Sequence, residues 1–374
     1  MQSKIFNFPS FESEAKITPT HQLPTPDYYA HVEQQFIQLL ETEDLDEKLA
    51  AQLVSASEFE QAVTTAIEAA YTKASGDEAA HRFLQRVLYR INRLKLFWYD
   101  DLRHYTNERS FYLKTVHNQI EDAWQQWELA QLDVAAYQGI DVKQALCDRF
   151  AVDVDPPVSA DGLFYRDQVT DAGYRRLVAI ASLDGLVEAS QLSRTLGGVS
   201  NEVHSVLTRL LIEEYGGGRL GRKHSSHFTT MLEELGMQTE PEAYFDLVPW
   251  QLLAIINHSF LLTERKRYFL RYIGGLLYGE LSIPAAFRNY QAAGERLGLS
   301  ASAMSYWSLH IKVDELHGRW MLDDVALPLV EQYPTDNWEL VFGYDQQRLL
   351  SDRAGAAVAQ AVREADQTAL KTNQ

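Results

Sequence analysis

The 374-residue chain is long enough for one large domain or two small ones, and 46% apolar with 23% charged residues describes a globular protein, neither disordered nor fibrous. Its 52 acidic residues outnumber 34 basic ones, and the resulting charge of −18 repels phosphate backbones and anionic lipid, so neither nucleic acid nor membrane is expected as a partner. Cys147 is the only cysteine, which excludes an intrachain disulfide and a thiolate metal cluster and fits a reducing, cytoplasmic compartment.

Residues 1–27, with Pro9, Pro19, Pro24 and Pro26, read as an extended arm. Early acids and the lack of a long apolar run argue against a secretory signal. In HRFLQRVLYRINRLKLFW (81–98), Leu84, Val87, Leu88, Ile91, Leu94 and Trp98 recur at helical spacing. Pro156 and Pro157 set a loop within 152–162. YRRLVAIASLDGLVEASQL (174–192) reads as an otherwise apolar helix that carries Glu188, and LGGVS (196–200) breaks it. NEVHSVLTRLLIEEY (201–215) is again helical, through Val203, Val206, Leu207, Leu210 and Leu211.

Then comes GGGRLGRKHSSHF (216–228). Glu214 and His224 lie ten residues apart. On one straight helix they would stand about 15 Å apart and point about 80° apart, unable to share a metal. Three glycines, each costing a helix roughly 1 kcal/mol, free the backbone to turn between them. A plain helix stop is the other reading; a phosphate-binding loop lacks its Gly-Lys-Ser/Thr ending and a preceding strand. LGMQTEPEA (235–243) marks another break.

WQLLAIINHSFLL (250–262) is helical but too short to span a bilayer. RKRYFLRYIGGLLYGEL (265–281) places Glu280 after eight uncharged residues, with Pro284 expected to end that helix. YWSLHIKVDELHGRWML (306–322) aligns His310, Asp314 and His317 within a sector of roughly 60° over about 10 Å of helix. Expected to be buried among Ile311, Val313, Leu316 and Trp320, two imidazoles and a carboxylate need partners, and a multivalent cation would serve all three; a solvated face or a His–Asp pair is the alternative. EQYPTDNW (331–338) opens a last helical stretch that includes AVAQAVREADQTAL (357–370). No segment alternates as a strand would, so roughly ten helices in an all-α bundle are expected. The helices before residue 112 are expected to form an accessory packing or dimerising layer (1–111), followed by the functional domain (112–374).

Together, the H-x3-D-x2-H helix, the EEYGGG…H segment and the Glu between them resemble the haem-oxygenase-like di-iron oxidases and oxygenases, or iron-containing redox enzymes, over about residues 180–320. The resemblance implies a seven-helix core that binds no haem, with added N-terminal helices. It implies a ligand set of Glu214, His224, Glu280, His310, Asp314 and His317, to which Glu188 adds the carboxylate of the N-oxygenating branch. It also implies two Fe(II) ions, O2 as co-substrate and an external reductant. One iron is expected on Glu214, His224, Glu280 and His310, the other on Glu188, Asp314 and His317. The expected reaction is N-oxygenation of a small amine (an amino-acid amine, guanidine or aminoazole) by a homodimer. Oxidative C–C cleavage or desaturation is the alternative reaction, and a non-catalytic helical assembly module the alternative class. His227 is an alternative ligand, Glu213 a surface neighbour of Glu214, and His104, His117, His204 and His258 read as structural. Tyr215, Tyr306 and Trp307 read as core packing or pocket lining, and Arg219, Arg222 and Lys223 as solvated or facing a substrate carboxylate.

Overall fold

The computed structural model describes residues 24–72, 76–98, 101–198 and 201–372, which form α-helices joined by short 3-10 turns, with no strand among them. An N-terminal layer comprises α1 (Pro26–Leu40), α2 (Leu45–Ala50), α3 (Ser57–Tyr71), α4 (Glu78–Asn92) and α5 (Phe111–Leu129). It is followed by α6 (Val142–Asp153), α7 (Ala160–Asp167), α8 (Asp171–Gly185), α9 (Glu202–Glu214) and α10 (His224–Glu234). The chain closes with α11 (Trp250–Glu264), α12 (Phe269–Arg296), α13 (Ser305–Trp320), α14 (Leu327–Gln332) and α15 (Trp338–Thr372). Among the described residues fifteen helices appear where roughly ten were expected, in part because α2, α7 and α14, of six to eight residues, are too short to show an apolar period.

Side-chain caps set many of the starts. Asp77, Ser110, Asp141, Ser159 and Asn201 each accept from a backbone N–H in the first turn that follows. Pro26, expected in an extended arm, instead opens α1, where its missing N–H has no intrahelical role, and Thr25 caps it from 3.3 Å. The rest of that arm, residues 1–23, lies outside the described residues.

Three of the four apolar clusters among the described residues position the site. The first unites α1, α3 and α4 with Leu113, Val116, Ile120 and Trp124 of α5, and extends to Trp250 and Ala254 of α11 and Leu350 of α15. The N-terminal layer therefore shares its core with the helices that follow, and α5 belongs to that core although a division at 111/112 places it beyond. The second cluster joins α6, α9, α12 and α15; the third joins α8, α10, α13 and the far end of α15. The helices carrying the sequence-predicted ligands meet between these two.

Pro284 does not end its helix. α12 runs 28 residues straight through it. The ring leaves the Glu280 carbonyl without its helical donor, but Leu281, Pro284, Ala293 and Gly294 are buried, so packing holds both halves in line. The freed Glu280 carbonyl faces Gly318 of α13. α12 is also clamped to α15 at a reciprocal glycine crossing. A Cβ on Gly274 would sit 1.9 Å from the Leu340 carbonyl oxygen, and one on Gly343 would sit 2.0 Å from that of Arg271. Backbone, which cannot rotate aside, occupies both spaces. Gly274→Ala is therefore expected to destabilise the fold by about 1–3 kcal/mol or more, read as a lower midpoint in chemical denaturation, whereas Gly279→Ala, with nothing within 4 Å, should not.

Candidate metal centre

Each sequence-predicted ligand reaches the same interior space, by routes that differ from helix to helix. α9 ends at Glu214, and the chain then makes two 3-10 turns before α10 begins at His224. Gly216, Gly217 and Gly218 all have positive φ, 62°, 63° and 77°. A Cβ on Gly216 would also meet the backbone of Arg222 and Lys223 at 2.4–2.7 Å. The glycines thus fold the segment back on itself, and Glu214 Oε2 lies 2.8 Å from His224 Nδ1. Unwinding, the condition the sequence set for these two to meet, has occurred.

Glu188 is not on a helix, contrary to expectation. α8 stops at Gly185, and Glu188 sits in the following turn, just before Ala189 at φ 60°. The apolar run around it is real, but it packs as a turn beside Phe228, whose ring would be 2.6 Å from a Cβ at residue 185. Tyr306 donates its hydroxyl to Glu188 Oε2 at 2.6 Å. α13 supplies His310, Asp314 and His317 from one buried face, and α12 supplies Glu280.

Two groups of donor atoms result. Glu188, Glu214, His224 and His310 converge within 4.8 Å of one another, and Glu214, Asp314 and His317 do the same. Glu214 belongs to both and is placed to bridge them. Glu280 adjoins the second group, its Oε2 3.2 Å from His317 Nδ1. The division anticipated from the resemblance is thus corrected: Glu188 and Glu280 exchange places. Glu188 stands by His310, 3.5 Å from its Nε2, and Glu280 by His317.

The donor set fits divalent metal. Both oxygens of Asp314 and Oε1 of Glu188 are buried and accept no hydrogen bond, a costly arrangement unless a cation lies against them. The histidines are oriented as ligands are. His310 Nδ1 donates to the Tyr306 carbonyl at 2.8 Å, so that Nε2 is the nitrogen facing the cluster. His317 presents Nδ1 to Glu214, Asp314 and Glu280, while its Nε2 meets Glu213 Oε2 at 3.2 Å. Glu213, read from sequence as a surface neighbour, is therefore the outer carboxylate that holds His317. Its adjacency to Glu214 hid this role, because consecutive helical residues rarely serve one centre.

The remaining sequence candidates separate cleanly. His227 lies outside both groups and bonds Ser305 Oγ at 2.8 Å. His204 stacks on Phe269, His117 meets Asn92, and His258 packs edge-on to Trp124. Trp307 donates to Tyr174 at 2.9 Å within the third cluster, a packing role, whereas Tyr306 both packs and holds Glu188.

Crowding governs the proton inventory. Burial, reinforced by Glu280, lifts Glu214 to about 7, and burial with Glu280 and Glu214 lifts Asp314 well above the usual carboxylate range. Burial lowers His224 to about 4, aided by His310. Burial opposes charge on His310 and His317 too, but there the carboxylates prevail. Glu188 brings His310 to about 10 and Glu280 brings His317 to about 9.

The architecture and this centre define an all-α, haem-oxygenase-like bundle with a His- and carboxylate-rich cluster able to hold metal. Comparison with known proteins agrees: residues 175–350 match the family model of iron-containing redox enzymes. A nitrosourea synthase of Streptomyces achromogenes subsp. streptozoticus is 29% identical over 168 residues, 45% of this chain and 36% of that protein. The similarity thus spans little more than a third of that relative's length. No helix among the described residues is long and apolar enough to cross a membrane.

A cation entering the cluster displaces protons from His310, His317 and Asp314, so its affinity falls with acidification. Anaerobic Fe(II) titrations are expected to weaken progressively from about pH 9 to about pH 6, with protons released on binding. In the same titration at fixed pH, Glu213→Ala should weaken iron binding by about 10–100-fold, because His317 loses the group that orients it.

Proposed function

We propose that this oxidoreductase binds two ferrous ions and uses O2 to oxygenate the nitrogen of a small amine, giving a hydroxylamine or nitro product. Glu188, Glu214, His224 and His310 would hold one iron. Glu214, Asp314 and His317, with Glu280 beside them, would hold the other. Three imidazoles and four carboxylates suit Fe(II) and offset its charge. Bound iron supplies the electrons that O2 accepts.

The chain's own residues set the conditions. Tyr306 fixes Glu188 by one oxygen and leaves Oε1 free for metal or for a proton. Phe287 and Tyr306 pack their rings 5.4 Å and 4.4 Å from that of His310, closing this side against water. The first oxygenation consumes R–NH2, O2, two electrons and two protons and yields R–NHOH and water, so repeated turnover needs an external reductant.

The observation that carries this reading is Glu188: a carboxylate brought from outside the α9, α10, α12 and α13 set to stand at His310 with an unpartnered oxygen. The relative is named for forming a nitrosourea, a product in which nitrogen bears oxygen. Protein loaded anaerobically with Fe(II) and mixed with O2 and candidate amines should give products heavier by one or two oxygen atoms. Loss of a fragment or of hydrogen would point to C–C cleavage or desaturation. Glu188→Ala is expected to abolish amine oxidation and lower iron occupancy; intact oxidation at unchanged occupancy would remove Glu188 from the scheme.

A further inference from the structure

The ligands of the cluster lie directly beneath one stretch of surface. Exposed Tyr215 follows Glu214, half-buried Lys223 precedes His224, and Leu316 precedes His317. Leu316, expected among the buried residues of α13, is instead 46% exposed. His224, His310 and His317 are themselves almost fully enclosed, so another protein reaches them only through such neighbours.

The stretch is continuous. The Arg209 guanidinium lies 3.6 Å over the Trp320 ring and joins α9 to α13. Arg209, Ile212 and Tyr215 follow one another at the three-residue spacing of neighbours on a helix face. Lys223 lies 4.5 Å over the Tyr215 ring and attaches the glycine loop, with Leu220 79% exposed, to the same face. Beneath it, Glu213 is held by Arg209 at 3.3 Å and meets His317 at 3.2 Å. A single side chain thus separates this surface from a buried ligand.

The charge of this face is opposite to that of the molecule. Between Tyr215 and His224 the chain places Arg219, Arg222 and Lys223 and no acid, in a protein of net charge −18. Arg219 and Arg222 are exposed, and none of the three forms an ion pair among the described residues. Cations left uncompensated keep their field for an arriving anion and set its orientation. A few exposed apolar side chains rimmed by charge make a small, transient interface, whereas a permanent one needs a larger and more apolar face.

From this position and sign we propose that the face docks a small acidic iron–sulfur protein of the ferredoxin type, the donor of the electrons that turnover consumes. The inference rests on the reading of the cluster as an O2-using iron centre, and it names the partner that reading leaves open. Each first oxygenation converts R–NH2, O2, two protons and two reduced carriers into R–NHOH, water and two oxidised carriers. An iron–sulfur carrier of this type releases one electron at a time, so it must dock and leave twice for each product. Such exchange requires a weak, electrostatically steered contact, which is what the face provides.

Calorimetric titration of the full chain with an oxidised, acidic [2Fe–2S] ferredoxin, without O2 or amine, tests this. Binding is expected, and it should weaken at least about tenfold between about 0.01 and 0.15 M salt, which shortens the reach of a charge from about 30 to about 8 Å. Reversing two exposed charges, Arg219→Glu with Arg222→Glu, should weaken it at least about tenfold, while the same reversal on α5 and at the end of α15, Lys114→Glu with Lys371→Glu, should not. Absence of binding, equal loss in both double variants, or selective binding of an acidic flavodoxin in place of the ferredoxin would overturn the proposal. So would sedimentation showing that this face pairs two copies of the chain, with the Arg219→Glu, Arg222→Glu variant alone reduced to monomer. Ferredoxin docking without amine oxidation by any reductant would defeat the reaction and spare the surface; amine oxidation driven by a chemical reductant, without such docking, would do the reverse.

Discussion

The structure turns on one electrostatic constraint: three imidazoles and four carboxylates occupy a space between two apolar clusters where water cannot solvate them. Charges so placed repel one another and lose hydration, so removing one partner is expensive, while a shared divalent cation satisfies many of them together. The unpartnered oxygens of Asp314 and Glu188 are the residue of that constraint. So is the upward displacement of Asp314 and Glu214, which hold protons where metal would otherwise sit.

Much of the backbone irregularity in this half of the molecule serves the convergence. A straight continuation of α9 would carry His224 away from Glu214; the glycine turns bring it back. α8 ends one turn early, so that Glu188 projects from a turn. α12 tolerates Pro284 one turn beyond Glu280, and α13 passes directly into a π-helical turn at 321–326 after His317. Each departure from regular helix lies within a few residues of a ligand. The regular helices supply rigidity, as the glycine crossing of α12 and α15 shows.

Around the ligands lies a set of groups that aim them. The Tyr306 carbonyl fixes the tautomer of His310, its hydroxyl anchors Glu188, and Glu213 holds the outer nitrogen of His317. The N-terminal layer takes part as well, since Trp98 ties it to the turn that carries Glu188. A layer that reads in sequence as mere accessory packing thus reaches the edge of the centre.

The amino-acid order by itself determined the all-α class, the long periodic helices α4, α9, α11, α13 and the far part of α15, and the residue types capable of binding metal. Helical period depends on neighbours a few positions apart, and the stripe of His310, Asp314 and His317 follows from that period alone. Only the tertiary structure decided which acid meets which histidine. Glu188 and Glu280 are interchangeable as isolated acids in apolar runs, and their assignment depends on the register of α12 against α13 and on where α8 stops. Pro284 and Glu213 were misread for the same reason. A proline's local preference yields to burial on both sides of it, and an exposed-looking acid gains its role from a histidine more than a hundred positions away, brought near by packing that no local window contains.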